Sequence, residues 1–347
     1  MPLGGNNLDS VTQILLGSAV GYATLGNKLG RKSLLVGAAF GTLPDLDVLI
    51  NFGGDVENFV YHRSFSHSLI IQLLLSPIIA WLIAKMHWAK SVSLTRWSIA
   101  IFLIMSTHAL LDTFTVYGTQ LLWPLSHYPF GISSVFIIDP MYSLPLLFAF
   151  AALCFARLQP YANKINTAAL VVSSLYLTWS LGAKWFIDNK IKQALDKQAI
   201  TFNQVESTPS PFNTLLWRAV ATTEQGHYEI YASVFDSVDE VDMRFYKTEN
   251  HVLDTLSEDQ RIALLQSFTK GLYGVYQQDQ TYVFSDLRMG LEGFYVFSFE
   301  IAKQAESSIK PSNFKQLQNR PPLSRASLVF DRITDPNVDL SKSSLTN

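Results

Sequence analysis

Six apolar runs dominate the first 200 residues, at positions 11–25, 33–50, 68–88, 97–117, 136–155 and 167–187. Several reach the ~20 residues that a helix needs to cross ~30 Å of hydrocarbon. The pattern therefore predicts a membrane protein, with an α-helical transmembrane bundle of about five to six spans over residues 1–199. The first two runs are shorter and glycine-rich. Their Gly17/Gly21 and Gly37/Gly41 pairs have the four-residue spacing that lets helix backbones approach closely in a membrane. They read either as a tightly packed pair or as partly re-entrant segments. Before position 11 the only charged residue is Asp9. With no basic stretch ahead of the apolar run, this start is expected to be a retained membrane segment and not a secretory signal.

From about residue 200 the period changes. Short β-type runs at 215–222, 227–235 and 243–246 precede a helical stretch at 257–272 and further runs at 281–286 and 293–301. Residues 200–305 thus read as a small soluble α+β domain. Residues 306–347, with Pro311, Pro321, Pro322, Pro336 and many Ser and Asn, read as a loosely ordered tail.

Composition sharpens this division. The chain has 347 residues, 48% of them hydrophobic and only 16% charged, which argues against a disordered chain. A net charge of -2 provides no global cationic field, so duplex nucleic acid is not an expected partner. Residues 1–199 carry 13 Lys+Arg and 9 Asp+Glu, whereas residues 200–347 carry 13 and 19. Within the first half the basic residues alternate between loops. Lys28, Arg31 and Lys32 lie in the first loop, Lys85, Lys90 and Arg96 in the third, and Arg157 and Lys164 in the fifth; the second has only Arg63 and the fourth has none. The positive-inside rule makes the odd loops cytoplasmic. The second and fourth loops and the C-terminal domain then face the periplasm or outside, although Lys190, Lys192 and Lys197 argue the other way. Cys154 is the single cysteine, so neither a disulfide nor a thiolate zinc cluster can form within the chain.

Ionisable residues sit in or against apolar runs that would otherwise exclude them. Asp45 and Asp47 arrive at the end of the second run, where Pro44 interrupts the helix; exposed acids at a helix end are the plain alternative. His62, Arg63 and His67 immediately precede the third run, where the same residues also suit an interfacial loop with Ser66 as helix cap. His108 and Asp112 lie inside the fourth run at i, i+4, on one helical face. That spacing suits a shared metal, an Asp orienting a ligating His, a self-satisfied His–Asp bond or a proton relay. Asp45, Asp47, His62, His67, His108 and Asp112 together offer three imidazoles and three carboxylates without cysteine. This inventory suits a divalent metal, zinc first and manganese second, or a two-metal centre that cleaves phosphoesters.

In this order, Pro44-Asp45-Leu46-Asp47, His62-Arg63-Ser64-Phe65-Ser66-His67-Ser68, His108 to Thr115 and the following Tyr117-Gly118-Thr119 and Leu122-Trp123-Pro124 resemble the YdjM-type family. Its members are described as LexA-regulated, inner-membrane-associated metal-dependent hydrolases. The resemblance spans about residues 9–145. Leu215-Leu216-Trp217-Arg218 and Asp286-Leu287-Arg288-Met289-Gly290 look like the longer bacterial branch with a C-terminal soluble domain. It implies a multi-pass protein of the bacterial inner membrane, with Asp45, Asp47, His62, His67, His108 and Asp112 as metal or catalytic positions. Many members have a histidine in the first span where this chain has Gln13, a poor zinc ligand, so the site either lacks one ligand or uses the amide to position a water.

The expected mechanism is hydrolysis of a phosphoester or lipid-type substrate at the membrane surface, with the metal activating water and polarising the substrate. Asp47 or Asp112, whichever is not a ligand, serves as general base, and Arg63 pairs with a substrate anion. His87 and Asp139 read as structural, the latter as cap of a helix begun by Pro140. His127 is a lesser candidate, and His227 and His251 read as surface or strand residues. The rival class is an ion- or proton-coupled transporter that uses the same intramembrane His and Asp residues. A third reading is a membrane scaffold whose bundle the metal stabilises.

Overall fold

The computed structural model describes residues 6–305, 308–317 and 326–340. The chain divides into two compact units, Met1–Ile50 with Tyr61–Trp179 and Asn51–Val60 with Ser180–Asn347. The second unit thus begins at Ser180 and includes a short excursion from the first half.

The first unit is helical. Helices α1 (Asn6–Leu29) and α2 (Lys32–Thr42) form a tight pair. A Cβ on Gly37 would lie 2.1 Å from the Gly17 carbonyl oxygen, and one on Gly17 would lie 2.4 Å from that of Gly37. No side chain fits between these backbones, which is the close approach the glycine spacing anticipates. In chain order follow α3 (Asp55–Tyr61), which apart from Tyr61 belongs to the second unit, then α4 (Leu69–Ala84), α5 (Leu94–Asp112), α6 (Pro140–Cys154) and α7 (Ala162–Lys197), the last running on into the second unit from Ser180. Leu15, Leu16 and Ala19 of α1 pack with Leu146 and Ala149 of α6 and Ala169 of α7. Leu25, Ala80, Trp97 and Ile101 make a separate cluster. Leu74, Ile78, Phe148 and Leu175 are exposed although apolar, the pattern of a surface that meets lipid.

Among the described residues, Leu94–Asp112 and Leu158–Lys197 are long and apolar enough to cross a membrane. The count becomes three if the bent pair Asp55–His67 and Leu69–Ala84 forms one broken span. The helices therefore supply fewer membrane-length segments than the five to six expected from the apolar runs. The reason is local: Pro44 turns the second run into a 3₁₀ segment, Leu43–Leu49. Ser68 caps α4 and leaves it 16 residues, and Asp139 caps α6, which Pro140 starts and which spans 15 residues.

The second unit is α+β, with two antiparallel sheets. The first has the order β1 (Gln204–Pro209), β2 (Leu216–Thr222), β3 (Gly226–Ser233), β4 (Asp242–Lys247). Helix α8 (Gln260–Phe268) leads to the second, in which β5 (Tyr273–Gln278), β6 (Thr281–Asp286), β7 (Ser298–Ala305) and β8 (Ser308–Pro311) are neighbours and β9 (Gln316–Leu317) also pairs with β7. Ala183, Ile187, Ile191 and Leu195, from the part of α7 in this unit, pack on Trp217, Ala219, Ala221, Ile230 and Ala232. These alternate positions of β2 and β3 share one sheet face. Lys190 Nζ donates to the carbonyls of Ser233, Val234 and Asp236, and Lys197 pairs with Asp239. Two of the lysines that complicated the loop-charge pattern are thus engaged inside this unit.

The segment Asn51–Val60 belongs here through Phe59, whose ring lies 4.8, 4.6 and 5.3 Å from those of Phe268, Phe297 and Phe299. The stretch read as a loose tail contains β8, β9 and α9 (Ala326–Thr334). Leu328, Ile333 and Leu340 pack with Leu216 and Tyr231, and the buried Arg332 pairs with Asp236 at 2.9 Å. Residues 306–307, 318–325 and 341–347 of that stretch lie outside the described residues.

His227, at the start of β3, is fully buried, with Nε2 3.1 Å from the Tyr295 hydroxyl. Burial first, and the Arg218 guanidinium second, push its imidazole down to about 3. An unfolded imidazole titrates near 6.5. As pH falls from about 6.5 towards 3, the unfolded chain takes up a proton that the fold refuses, so His227 removes stability by up to about 1.4 kcal/mol per pH unit. In His227→Phe the decline in thermal unfolding midpoint from pH 6.5 to 4 becomes shallower than in the wild type; parallel curves would show that another group governs this range.

Candidate metal centre

Four chain segments of the first unit bring the candidate residues together. Asp45 and Asp47 lie on the 3₁₀ segment Leu43–Leu49. His62 and Arg63 follow α3, and Ser66 and His67 lie in the 3₁₀ turn Phe65–His67. His108 and Asp112 occupy the last turns of α5, and Gln13 lies on α1. The Tyr117-Gly118-Thr119 and Leu122-Trp123-Pro124 motifs brace the second segment from behind. Gln120 N–H donates to Arg63 O at 3.0 Å, Leu69 N–H to Leu121 O at 3.0 Å, and Ser68 Oγ to Trp123 O at 2.5 Å.

Asp45, His67, His108 and Asp112 form a group whose ligand atoms all lie within 4.8 Å of one another. His67 Nε2 is 3.1 Å from His108 Nε2, 3.5 Å from Asp45 Oδ1 and 3.1 Å from Asp112 Oδ2. His108 Nε2 is 3.3 Å from Asp45 Oδ1 and 3.5 Å from Asp112 Oδ2. The side chains of His67, His108 and Asp112 are at most 2% exposed, whereas that of Asp45 is 19% exposed and forms the accessible edge.

The surrounding hydrogen bonds assign the proton positions. His108 Nδ1 is 2.6 Å from the Gly41 carbonyl oxygen, which can only accept, so Nδ1 carries a proton, and in the neutral ring Nε2 is the bare nitrogen. Ser66 Oγ donates to Asp47 Oδ2 at 2.6 Å and therefore accepts from His67 Nδ1 at 2.8 Å, which leaves His67 Nε2 bare as well. With both rings neutral, two imidazole lone pairs and two carboxylate oxygens converge. Protonating both rings would instead set two N–H groups head to head at 3.1 Å. Asp112 Oδ2 is buried and has no hydrogen bond of adequate geometry. One divalent cation satisfies all four groups at once.

Asp47 and His62 stand in the adjoining layer, outside this group of four. Asp47 Oδ1 accepts from His62 Nδ1 at 2.8 Å, and its Oδ2 accepts from Arg63 N–H at 2.9 Å as well as from Ser66. With both oxygens engaged and its side chain fully buried, Asp47 orients the His62–His67 segment. Arg63 adopts a left-handed backbone, φ 61°, which that bond to Asp47 helps to hold. Its side chain is buried and turned inward, with Nε 3.3 Å from Asp112 Oδ2 and Nη1 donating to Thr115 Oγ1 at 3.4 Å. In the structure it thus faces a protein carboxylate.

Sequence reasoning missed Ser66 as a participant and singled out Gln13 without its partner. Ser66 bridges Asp47 and His67, and the helix cap expected of it is Ser68, whose Oγ accepts from Ile71 N–H at 3.3 Å. Gln13 Nε2 donates to Asp112 Oδ1 at 2.8 Å. The histidines set aside stay outside the group: His87 and His127 are exposed, His251 pairs with Glu249, and His227 is the buried strand residue described above. Asp139 caps α6 as expected, accepting from Met141 N–H at 2.9 Å.

A curated Bacillus subtilis (strain 168) protein, the uncharacterized protein YfhP, is 24% identical over 309 residues, covering 84% of this chain and 89% of its own length. No solved structure matches the chain. The profile of the YdjM inner membrane protein family matches residues 8–187, which include every member of the His/Asp group, and the chain belongs to that family.

Proposed function

We propose that this protein is a membrane-bound metal-dependent hydrolase acting on a phosphoester or lipid-type substrate at the membrane surface. The observation that carries the reading is the convergence of two bare imidazole nitrogens and two carboxylate oxygens in a buried pocket edge. Asp45, His67, His108 and Asp112 would hold the ion. Five of the six separations among their ligand atoms, 3.1 to 3.5 Å, lie near the edges of a tetrahedron with zinc bond lengths, about 3.3–3.4 Å, and the Asp45–Asp112 separation is within 4.8 Å. Two nitrogens and two oxygens without sulfur also suit zinc, with manganese as the second choice. A divalent ion that takes water or substrate as a fifth ligand at the accessible Asp45 edge would supply Lewis acidity, polarising a phosphoryl or acyl oxygen and lowering the pKa of water.

The chain's own residues supply the rest. Asp47 holds the His62 ring with Nδ1 protonated, so that His62 Nε2 is the proton acceptor of the site; the His62 side chain is 25% exposed. Arg63 offsets the charge of Asp112. The alternation of Lys and Arg among the loops keeps the chain multi-pass in the bacterial inner membrane with its C-terminal unit periplasmic.

The test is turnover of phospholipid and phosphoester substrates by the purified, zinc-loaded chain in mixed micelles. The wild type should hydrolyse at least one class, and His62→Gln should keep its zinc while losing about 100-fold or more in turnover. A zinc-loaded wild type that hydrolyses nothing, but moves ions across proteoliposomes, would replace the hydrolase with the transporter.

A further inference from the structure

We infer that Gln13 confines Asp112 to one-oxygen coordination and thereby sets the metal preference of the site, an inference that rests on the metal centre proposed above. A carboxylate can offer a cation one oxygen or both, and the difference changes the coordination number. Here Asp112 Oδ2 faces His67, His108 and Asp45, while Oδ1 accepts from Gln13 Nε2 at 2.8 Å. The same Nε2 reaches the His108 carbonyl oxygen at 3.5 Å, so one amide spans the two residues that α5 contributes to the group.

The other end of the amide carries the second observation. Gln13 is 1% exposed, and its Oε1 has no hydrogen-bond partner. It lines a cavity of about 10 Å³ together with Asp112, Thr12, Thr115, Asp139 and Tyr142. That is the space of about one water, and these groups give such a water the polar partners it requires. A water there donates to Gln13 Oε1 and locks the amide with its N–H towards Asp112. With Oδ1 so engaged, Asp112 gives the ion a single oxygen, the low coordination number that favours zinc. Freed from Gln13, the carboxylate can bind through both oxygens, which favours manganese with its larger oxygen-rich shell.

The experiment measures zinc and manganese dissociation constants by chelator competition for the full-length wild type, Gln13→Leu and Gln13→Asn, the last keeping an amide one methylene too short to reach Asp112. Both variants should lose about 10- to 100-fold in zinc affinity and much less in manganese affinity, so the zinc-to-manganese preference falls about tenfold or more. Equal losses for both metals would reduce Gln13 to a packing residue and overturn the inference. Should Gln13→Leu fail to fold, Gln13→Asn decides on the same ratio. A folded wild type that binds neither metal would bring down the metal centre itself, whereas a wild type that binds zinc with an unchanged ratio in the variants contradicts only the role of Gln13.

Discussion

His108→Ala is expected to weaken zinc binding by about 100- to 1,000-fold. Apparent affinities of four-ligand zinc sites amount to about 10–16 kcal/mol, so one ligand carries about 2.5–4 kcal/mol. His108 has little redundancy to soften its loss. Its Nε2 is within 3.5 Å of all three other donors, and its Nδ1 is the bond that fixes the ring on the Gly41 carbonyl. His67→Ala should behave alike, since its ring is held through Ser66 in the same manner. The exposed His87 and His127 provide controls, and His87→Ala and His127→Ala should bind zinc as the wild type does. Competition against a chromogenic chelator reads all four variants. Wild-type affinity in His108→Ala would remove it from the ligand set.

The second large effect separates binding from chemistry. Asp47→Asn should retain zinc yet lose turnover by about 1,000- to 10,000-fold, the scale seen when an Asp that orients a hydrolytic His becomes Asn. Two donors, Arg63 N–H and Ser66 Oγ, need the oxygen at Oδ2, so the amide oxygen must take that place. The amide NH2 then faces His62 Nδ1, where the carboxylate had accepted a proton at 2.8 Å. His62 responds by moving its proton to Nε2, which disables it as an acceptor while the Ser66–His67 arm stays in place. Asp47→Ala removes both supports and should lower zinc affinity too, by about 10- to 100-fold. Parallel titration of zinc and turnover checks the split. Loss of zinc in Asp47→Asn on the scale of His108→Ala would make Asp47 a ligand, and unchanged turnover would end its orienting role.

The parts of this site that obey helical or strand periodicity are legible in sequence. His108 and Asp112 meet because i, i+4 is one face of α5. The strands at 216–222, 242–247 and 281–286 fall where the alternating runs place them. The division of labour between Asp45 and Asp47 is not legible. Both lie in a 3₁₀ segment with three residues per turn, so residues two apart point in different directions. One reaches the ion site and the other the His62–Ser66 layer, a distinction that only the fold draws. The contacts of Ser66 and Gln13 are not legible in the sequence, although Gln13 stands out against the family pattern, because their partners are 19 and 99 positions away. Among the described residues fewer helices reach membrane length than the apolar runs suggest, because hydropathy counts apolar residues and takes no account of where Pro44 breaks the second run or of α6 beginning only at Pro140. The elements within residues 308–317 and 326–340 are not legible in the sequence for the opposite reason. Arg332 looks like a surface charge in sequence but is buried on Asp236, and the apolar residues around it are too few for a periodic pattern.

The central claim is that Asp45, His67, His108 and Asp112 hold one divalent cation. Its most direct test is elemental mass spectrometry of the detergent-purified wild-type chain after exposure to zinc and removal of loose ions. The account predicts about one zinc per folded chain, falling to background in His108→Ala and in Asp112→Ala. A folded, zinc-supplemented wild type that carries no metal above background would contradict it.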